Sequence, residues 1–232
     1  MSDSYERSGT LGVRCARDAV AAPTPGCTRG LCGKIDVTPG AVDLTTLGTT
    51  DWAKWGWVGS APGADRKAIG GGAIGGYNAI GGAAVAGYSN NPAVFGWTDG
   101  APPHAAAASQ ATGVYATAGG FALDVRAPAG GGAAVLVVFV GAWGGATGRL
   151  NATLSDGSAP AYVDASITAP RGAPVNAAYR LDFSSVAPGA TLHVEWTVAG
   201  GGDEGNITLQ GAAVTDGATA CRILRPTQPV CA

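Results

Sequence analysis

Thr191-Leu-His-Val-Glu-Trp-Thr-Val198 decides the fold class. Leu192, Val194, Trp196 and Val198 alternate with His193, Glu195 and Thr197. Successive side chains of a strand point to opposite faces, so a period of two marks a half-buried strand. The period recurs on the N-terminal side. Tyr179, Leu181 and Phe183 alternate with Arg180 and Asp182, and Phe121, Leu123 and Val125 alternate with Asp124 and Arg126. Residues 135–140 form an unbroken apolar run, which suits a strand buried on both faces. Turns are marked by Asp99-Gly100, Asp156-Gly157, Pro188-Gly189 and Asp216-Gly217. No helical period of useful length competes with this pattern. About ten to twelve strands are predicted, in an all-β, two-sheet antiparallel β-sandwich that is jelly-roll-like.

Composition agrees. Glycine supplies 39 of 232 residues, against an average of about 7%. Each helical Gly costs about 1 kcal/mol relative to Ala, so this content disfavours helices. Charged residues are 13% and hydrophobic residues 46%, the opposite of a disordered chain. The net charge of −2 leaves no basic stripe for nucleic acid. The longest apolar run is too short to span a bilayer. The Gly/Ala-rich residues 70–87 lack the Lys-Ser/Thr of a phosphate loop and read as close-packed strands or a loop.

Three segments are expected. Residues 1–34 form an arm and linker, with Arg7, Arg14, Arg17, Arg29, Lys34 and three cysteines. Residues 35–220 form the sandwich, and residues 221–232 a tail closed by a disulfide. The five cysteines all flank the body, as disulfides that pin termini would. Cys27 with Cys32, and Cys221 with Cys231, would each close a short loop and leave Cys15 unpaired. Pairing across the termini is the alternative. With two histidines, His104 and His193, and no Cys-x-x-Cys pair, no zinc site is expected. No cofactor is expected either, a structural calcium held by Asp156 or by Asp203 and Glu204 being the one metal considered. Asn151-Ala-Thr153 and Asn206-Ile-Thr208 are glycosylation sequons. With Leu150, Ala152, Ile207 and Leu209 facing inward, Asn151 and Asn206 would both face solvent. An extracellular or secretory location follows, with any signal peptide upstream, because the first residues lack an apolar core.

Asp51-Trp-Ala-Lys-Trp-Gly-Trp57 is the candidate binding motif. In a strand Trp55 and Trp57 share one face and Trp52 takes the other. Exposed indole rings would stack on sugar rings, and core packing is the alternative. Lys54, Arg66, Lys67, Trp97, Asp99 and Trp143 complete the candidate aromatic and polar set. Catalysis would need a nucleophile–base pair or two convergent carboxylates. Asp51, Asp65, Asp99, Asp156, Asp203 and Glu204 show no such pairing, and His193 with Glu195 reads as a solvated strand face. No catalytic residue is therefore assigned.

Ser8-Gly-Thr-Leu-Gly-Val-Arg-Cys-Ala-Arg-Asp18 resembles the extreme C-terminus of formylglycine-generating-enzyme-like domains, with Val13 where Phe is usual. That resemblance implies the tail of a preceding domain and none of its chemistry. Residues 41–214 resemble a β-sandwich module of large secreted bacterial and algal proteins, often beside glycosidases. The matching pieces, in order, include residues 42–56, Trp97-Thr-Asp-Gly100, Thr112-Gly-Val-Tyr115, Val140-Gly-Ala-Trp143, residues 154–160 and Gly205-Asn-Ile-Thr-Leu209. The implied role is a non-catalytic carbohydrate-binding or accessory module whose partner is a glycan or other extracellular polymer. The alternatives are a self-associating structural subunit of a wall, sheath or filament, and a glycoside-active hydrolase.

Overall fold

The apolar run at residues 135–140 lies inside a strand with a core on each face. The computed structural model describes residues 30–38, 40–57, 63–128, 132–185, 187–201 and 204–217. Within it, β11 (Ala133–Trp143) sends Ala134, Leu136, Val138, Val140 and Ala142 into one core and Val135, Val137 and Phe139 into another. A strand covered on both sides has no polar face to show, which is why its sequence does not alternate.

Eight strands, β11 among them, form four nested pairs. They are β9 (Gly113–Ala116), β10 (Gly120–Arg126), β11, β12 (Thr147–Leu154), β13 (Tyr162–Thr168), β14 (Pro174–Ser184), β15 (Thr191–Gly200) and β16 (Asn206–Asp216). The innermost pair is β12 with β13; around it β11 pairs β14, β10 pairs β15, and β9 pairs β16, all antiparallel. Successive pairs alternate between two sheets, which is the jelly-roll path.

The remaining elements extend these sheets or cover them. They are β1 (Leu31–Val37), β2 (Ala41–Asp43), α1 (Leu44–Leu47), β3 (Asp51–Lys54), β4 (Asp65–Arg66), β5 (Asn78–Ile80), β6 (Val85–Tyr88), β7 (Val94–Trp97) and β8 (Ala107–Gln110). One sheet runs β1-β14-β11-β16-β3-β4, with β6 and β9 reaching β16 along its other stretch. The second runs β13-β12-β15-β10-β5. The predicted alternation is kept throughout: Leu192, Val194, Trp196, Tyr179, Leu181, Phe183, Phe121, Leu123 and Val125 all enter the core between the sheets.

Two features go beyond the sequence reading. A third layer of β2, β7, β8 and α1 lies over the outer face of the first sheet and closes a second core. Asp43 caps α1, its carboxylate accepting from the Thr46 N–H at 3.2 Å. The first described strand opens at Leu31, four residues inside the segment read as the arm, and pairs with β14 over its whole length.

Candidate functional site

The tryptophans separate by burial. Trp52, Trp55, Trp97 and Trp196 are fully buried, while Trp143 is 38% exposed. Trp52 and Trp97 belong to the second core and Trp55 to the first. The predicted sharing of a face by Trp55 and Trp57 is not found. β3 ends at Lys54, and Gly56 follows at φ 90° in close contact with Gly113, which turns the chain. Trp57 therefore comes back over the second core, 5.5 Å from Trp97 and stacked on His104 at 3.8 Å. These rings pack the fold, so the core-packing alternative describes Trp52, Trp55 and Trp97.

The polar candidates nearby serve the same packing. Asp99 accepts from Trp52 Nε1 at 2.9 Å, from Thr45 Oγ1 at 2.8 Å and from the Lys67 ammonium. Burial pushes its pKa up, yet the bonds from Lys67, Thr45 and Trp52 outweigh this and hold it below the ordinary carboxylate range. Arg66 donates to the Ile74 carbonyl at 2.6 Å. Lys54 is fully buried, donates to the carbonyls of Trp55 and Thr112, and lies over the Phe95 ring at 5.1 Å. Burial pushes its pKa down to about 7, with the charge of Asp65 working in the opposite direction.

An open site lies elsewhere on the first sheet. Tyr115 pairs with Thr208, Thr208 with Gly141, and Gly141 with Asn176, giving one row across four strands. The next row is Asn206, Trp143 and Pro174. Both rows face away from the inter-sheet core, because the intervening Ile207, Leu209, Val140 and Ala142 fill it. Gly141 is buried between Thr208 and Asn176 in the first row. A Cβ there would fall 2.7 Å from both Asn176 Oδ1 and Thr208 Oγ1, so any side chain would crowd the row. Tyr88 at the end of β6, and residues 90–92 beyond it, raise one wall.

The result is a groove of about 240 Å³. It presents three aromatic rings, Tyr88, Tyr115 and Trp143, and four amides, Asn90, Asn91, Asn176 and Asn206. None of its described lining residues is charged. The polar groups are held in place from behind. Gln210 Nε2 donates to Tyr88 Oη at 2.8 Å and to Thr208 Oγ1 at 2.6 Å, and Asn176 Nδ2 donates to Asn91 Oδ1 at 2.9 Å. Burial pushes the Tyr88 phenol up, against the bonds from Gln210 and Thr208, so it stays a neutral donor and acceptor.

Of the described candidate residues read from sequence, the structure brings Trp143 and Asn206 to this groove and the others do not line it. Asn206, expected on the solvent face, sits beside Trp143 in the row that faces away from the inter-sheet core. Asn151 lies on the outer face of the second sheet with its Nδ2 donating to Glu195 at 3.3 Å. Asp156, considered for calcium, accepts from Ser158 N and Oγ and from Ser185 Oγ, and so pins a turn. Asp203, Cys15, Cys27, Cys221, Cys231 and residues 8–18 lie outside the described residues; Cys32 lies on β1. Tyr88, Tyr115, Asn90, Asn91 and Asn176 were not singled out from sequence. The usable signal was the piece Thr112-Gly-Val-Tyr115, whose Tyr alternates with apolar neighbours.

The chain is an antiparallel β-sandwich. No protein-family model and no curated protein matches it. Among solved structures it is similar to the carbohydrate-binding module TmCBM61, determined in complex with β-1,4-galactotriose. The identity is 15% and the TM-score 0.34, over 59% of this chain and 90% of that one. It is also similar to the enzymatically active domain of bacteriophage CBA120 tailspike protein 4. There the identity is 15% and the TM-score 0.33, over 62% of this chain and only 19% of that one. No helix among the described residues is long and apolar enough to cross a membrane.

Proposed function

We propose that this chain is a non-catalytic glycan-binding module of an extracellular protein, and that the Trp143 groove is its binding site. One observation carries the reading: the groove pairs partly exposed aromatic rings with neutral amides and a hydroxyl. A sugar ring has apolar C–H faces and a rim of hydroxyls. Flat rings complement the first, and amides, which both donate and accept, complement the second. The absence of charge among the described lining residues favours an uncharged saccharide and supplies no acid–base pair for hydrolysis.

The test is affinity electrophoresis and calorimetry against soluble neutral polysaccharides: glucans, xylans, mannans and β-1,4-galactans. Wild type is expected to bind at least one. Trp143→Ala should weaken that binding about tenfold or more, the scale of one lost aromatic contact with its buried area. Wild type that binds none of them, or Trp143→Ala that binds unchanged, refutes the assignment.

A further inference from the structure

The groove does not end at Asn176. A second cavity of about 220 Å³ meets it along Pro92, Pro174 and Asn176 and continues between the end of β1 and β7 to Thr38 and Gly40. Its described lining is again uncharged. The chemistry changes only past Val37, where a third cavity is lined by Lys34, Asp36, Asp43 and Arg180. The two neutral cavities thus form one chemical surface, bounded by charge at its far end. Size points the same way. Ligand sites usually span about 300–1,000 Å³, which the first cavity alone does not reach and the pair does.

Thr38 supplies an independent observation. Its Oγ1 is shut off from solvent and has no hydrogen-bond partner, although the residue lines the second cavity. Leaving such a hydroxyl unpaired costs about 1–3 kcal/mol, which a hydrogen bond to a ligand in the adjoining cavity would recover.

We infer that the ligand is an internal stretch of a neutral polysaccharide, which runs from Trp143 past Asn176 to Thr38, whose hydroxyl bonds the distal sugar. This rests on the groove being a glycan site. It adds that the site takes the middle of a chain rather than a terminal sugar.

Calorimetry with cello-, xylo-, manno- and β-1,4-galacto-oligosaccharides of about one to six units tests it. Two variants separate the cavities. Thr38→Val removes the hydroxyl at constant shape. Gly40→Leu fills the second cavity, and a Cβ at Gly40 meets nothing within 4 Å, so the fold has room for it. Near-ultraviolet circular dichroism confirms that both variants are folded. For wild type, affinity should climb with length by tenfold or more before levelling off. Both variants should lose about three- to tenfold for the long oligomers and nothing for the shortest that binds. If affinity is independent of length, or if the long oligomers bind both variants as wild type, the extension is wrong while the groove assignment stands. If no oligosaccharide binds wild type, both fall together.

Discussion

The outer face of the first sheet is covered at one end and open at the other, and β11 crosses both halves. Val135, Val137 and Phe139 lie under the third layer, flanked by Trp52 and Trp97. Trp143, farther along the same face of the same strand, lies in the open groove. Both halves contain tryptophan. The covered half surrounds it with apolar side chains and satisfies the buried indole N–H groups internally, Trp52 on Asp99 and Trp97 on the His104 carbonyl at 2.8 Å. The open half surrounds it with asparagines, a threonine and a glycine. An aromatic ring by itself therefore says little about a site; the residues registered beside it across the sheet decide its role.

The largest expected effect lies in the covered half. Trp52→Ala empties a fully buried site and should cost about 3–5 kcal/mol of unfolding free energy, read from the urea midpoint. Trp143→Ala should change that midpoint by no more than about 0.5 kcal/mol while weakening glycan binding. Equal destabilisation by the two substitutions would erase the distinction between the halves.

Lys54 sharpens the contrast through pH. Its ordinary pKa of 10.5 is pushed by burial to about 7 in the fold. Between those values the unfolded chain still holds the proton that the folded chain has released. Stability must then rise with pH from about 7 to about 9.5. Above that, Tyr88 and Tyr77, whose phenols burial pushes up, begin to act in the opposite direction. Urea midpoints should climb across this window in wild type and stay flat in Lys54→Met. Binding at the proposed glycan groove, whose described lining is uncharged, should not vary over the same range.

Smaller effects fall on the groove wall and on the second sheet. Tyr115→Ala should weaken binding severalfold with little change in stability, since the ring is partly exposed. His193, on the outer face of the second sheet, hydrogen-bonds Asp124 at 2.8 Å. That bond raises its pKa, with burial opposing. Its contribution is fully present below about pH 6.5 and fades as pH rises through the raised folded value. His193→Gln should therefore cost less than about 1 kcal/mol, and only on the acid side.

Much of the architecture was legible because strand period and burial are local properties. The alternation at residues 191–198 and the run at residues 135–140 each carry their own evidence for one covered face or two. The third layer was not legible. Its strands are short, and nothing in Val94-Phe-Gly-Trp97 says which sheet it covers. The Trp52–Trp57 motif misled for a local reason: the strand stops at Lys54, so the two-residue period was counted through a turn. The groove was hidden for the opposite reason. Its residues come from β6, β9, β11, β14 and β16 and meet only through register. Trp143 and Asn206 were each noticed, and nothing in the sequence joined them.

The nesting of the strands has a kinetic consequence. The β12–β13 hairpin closes a short loop, whereas joining Tyr115 to Thr208 encloses every strand between them. Loop-closure entropy grows with the length enclosed, and non-local pairing slows folding. The groove is built on that pair, the outermost of the four nested ones. Binding competence should therefore be regained later on refolding than the burial of Trp196 in the inner pairs. A glycan bound at the proposed site would then report that the β9–β16 pair has closed, and would hold that pair shut.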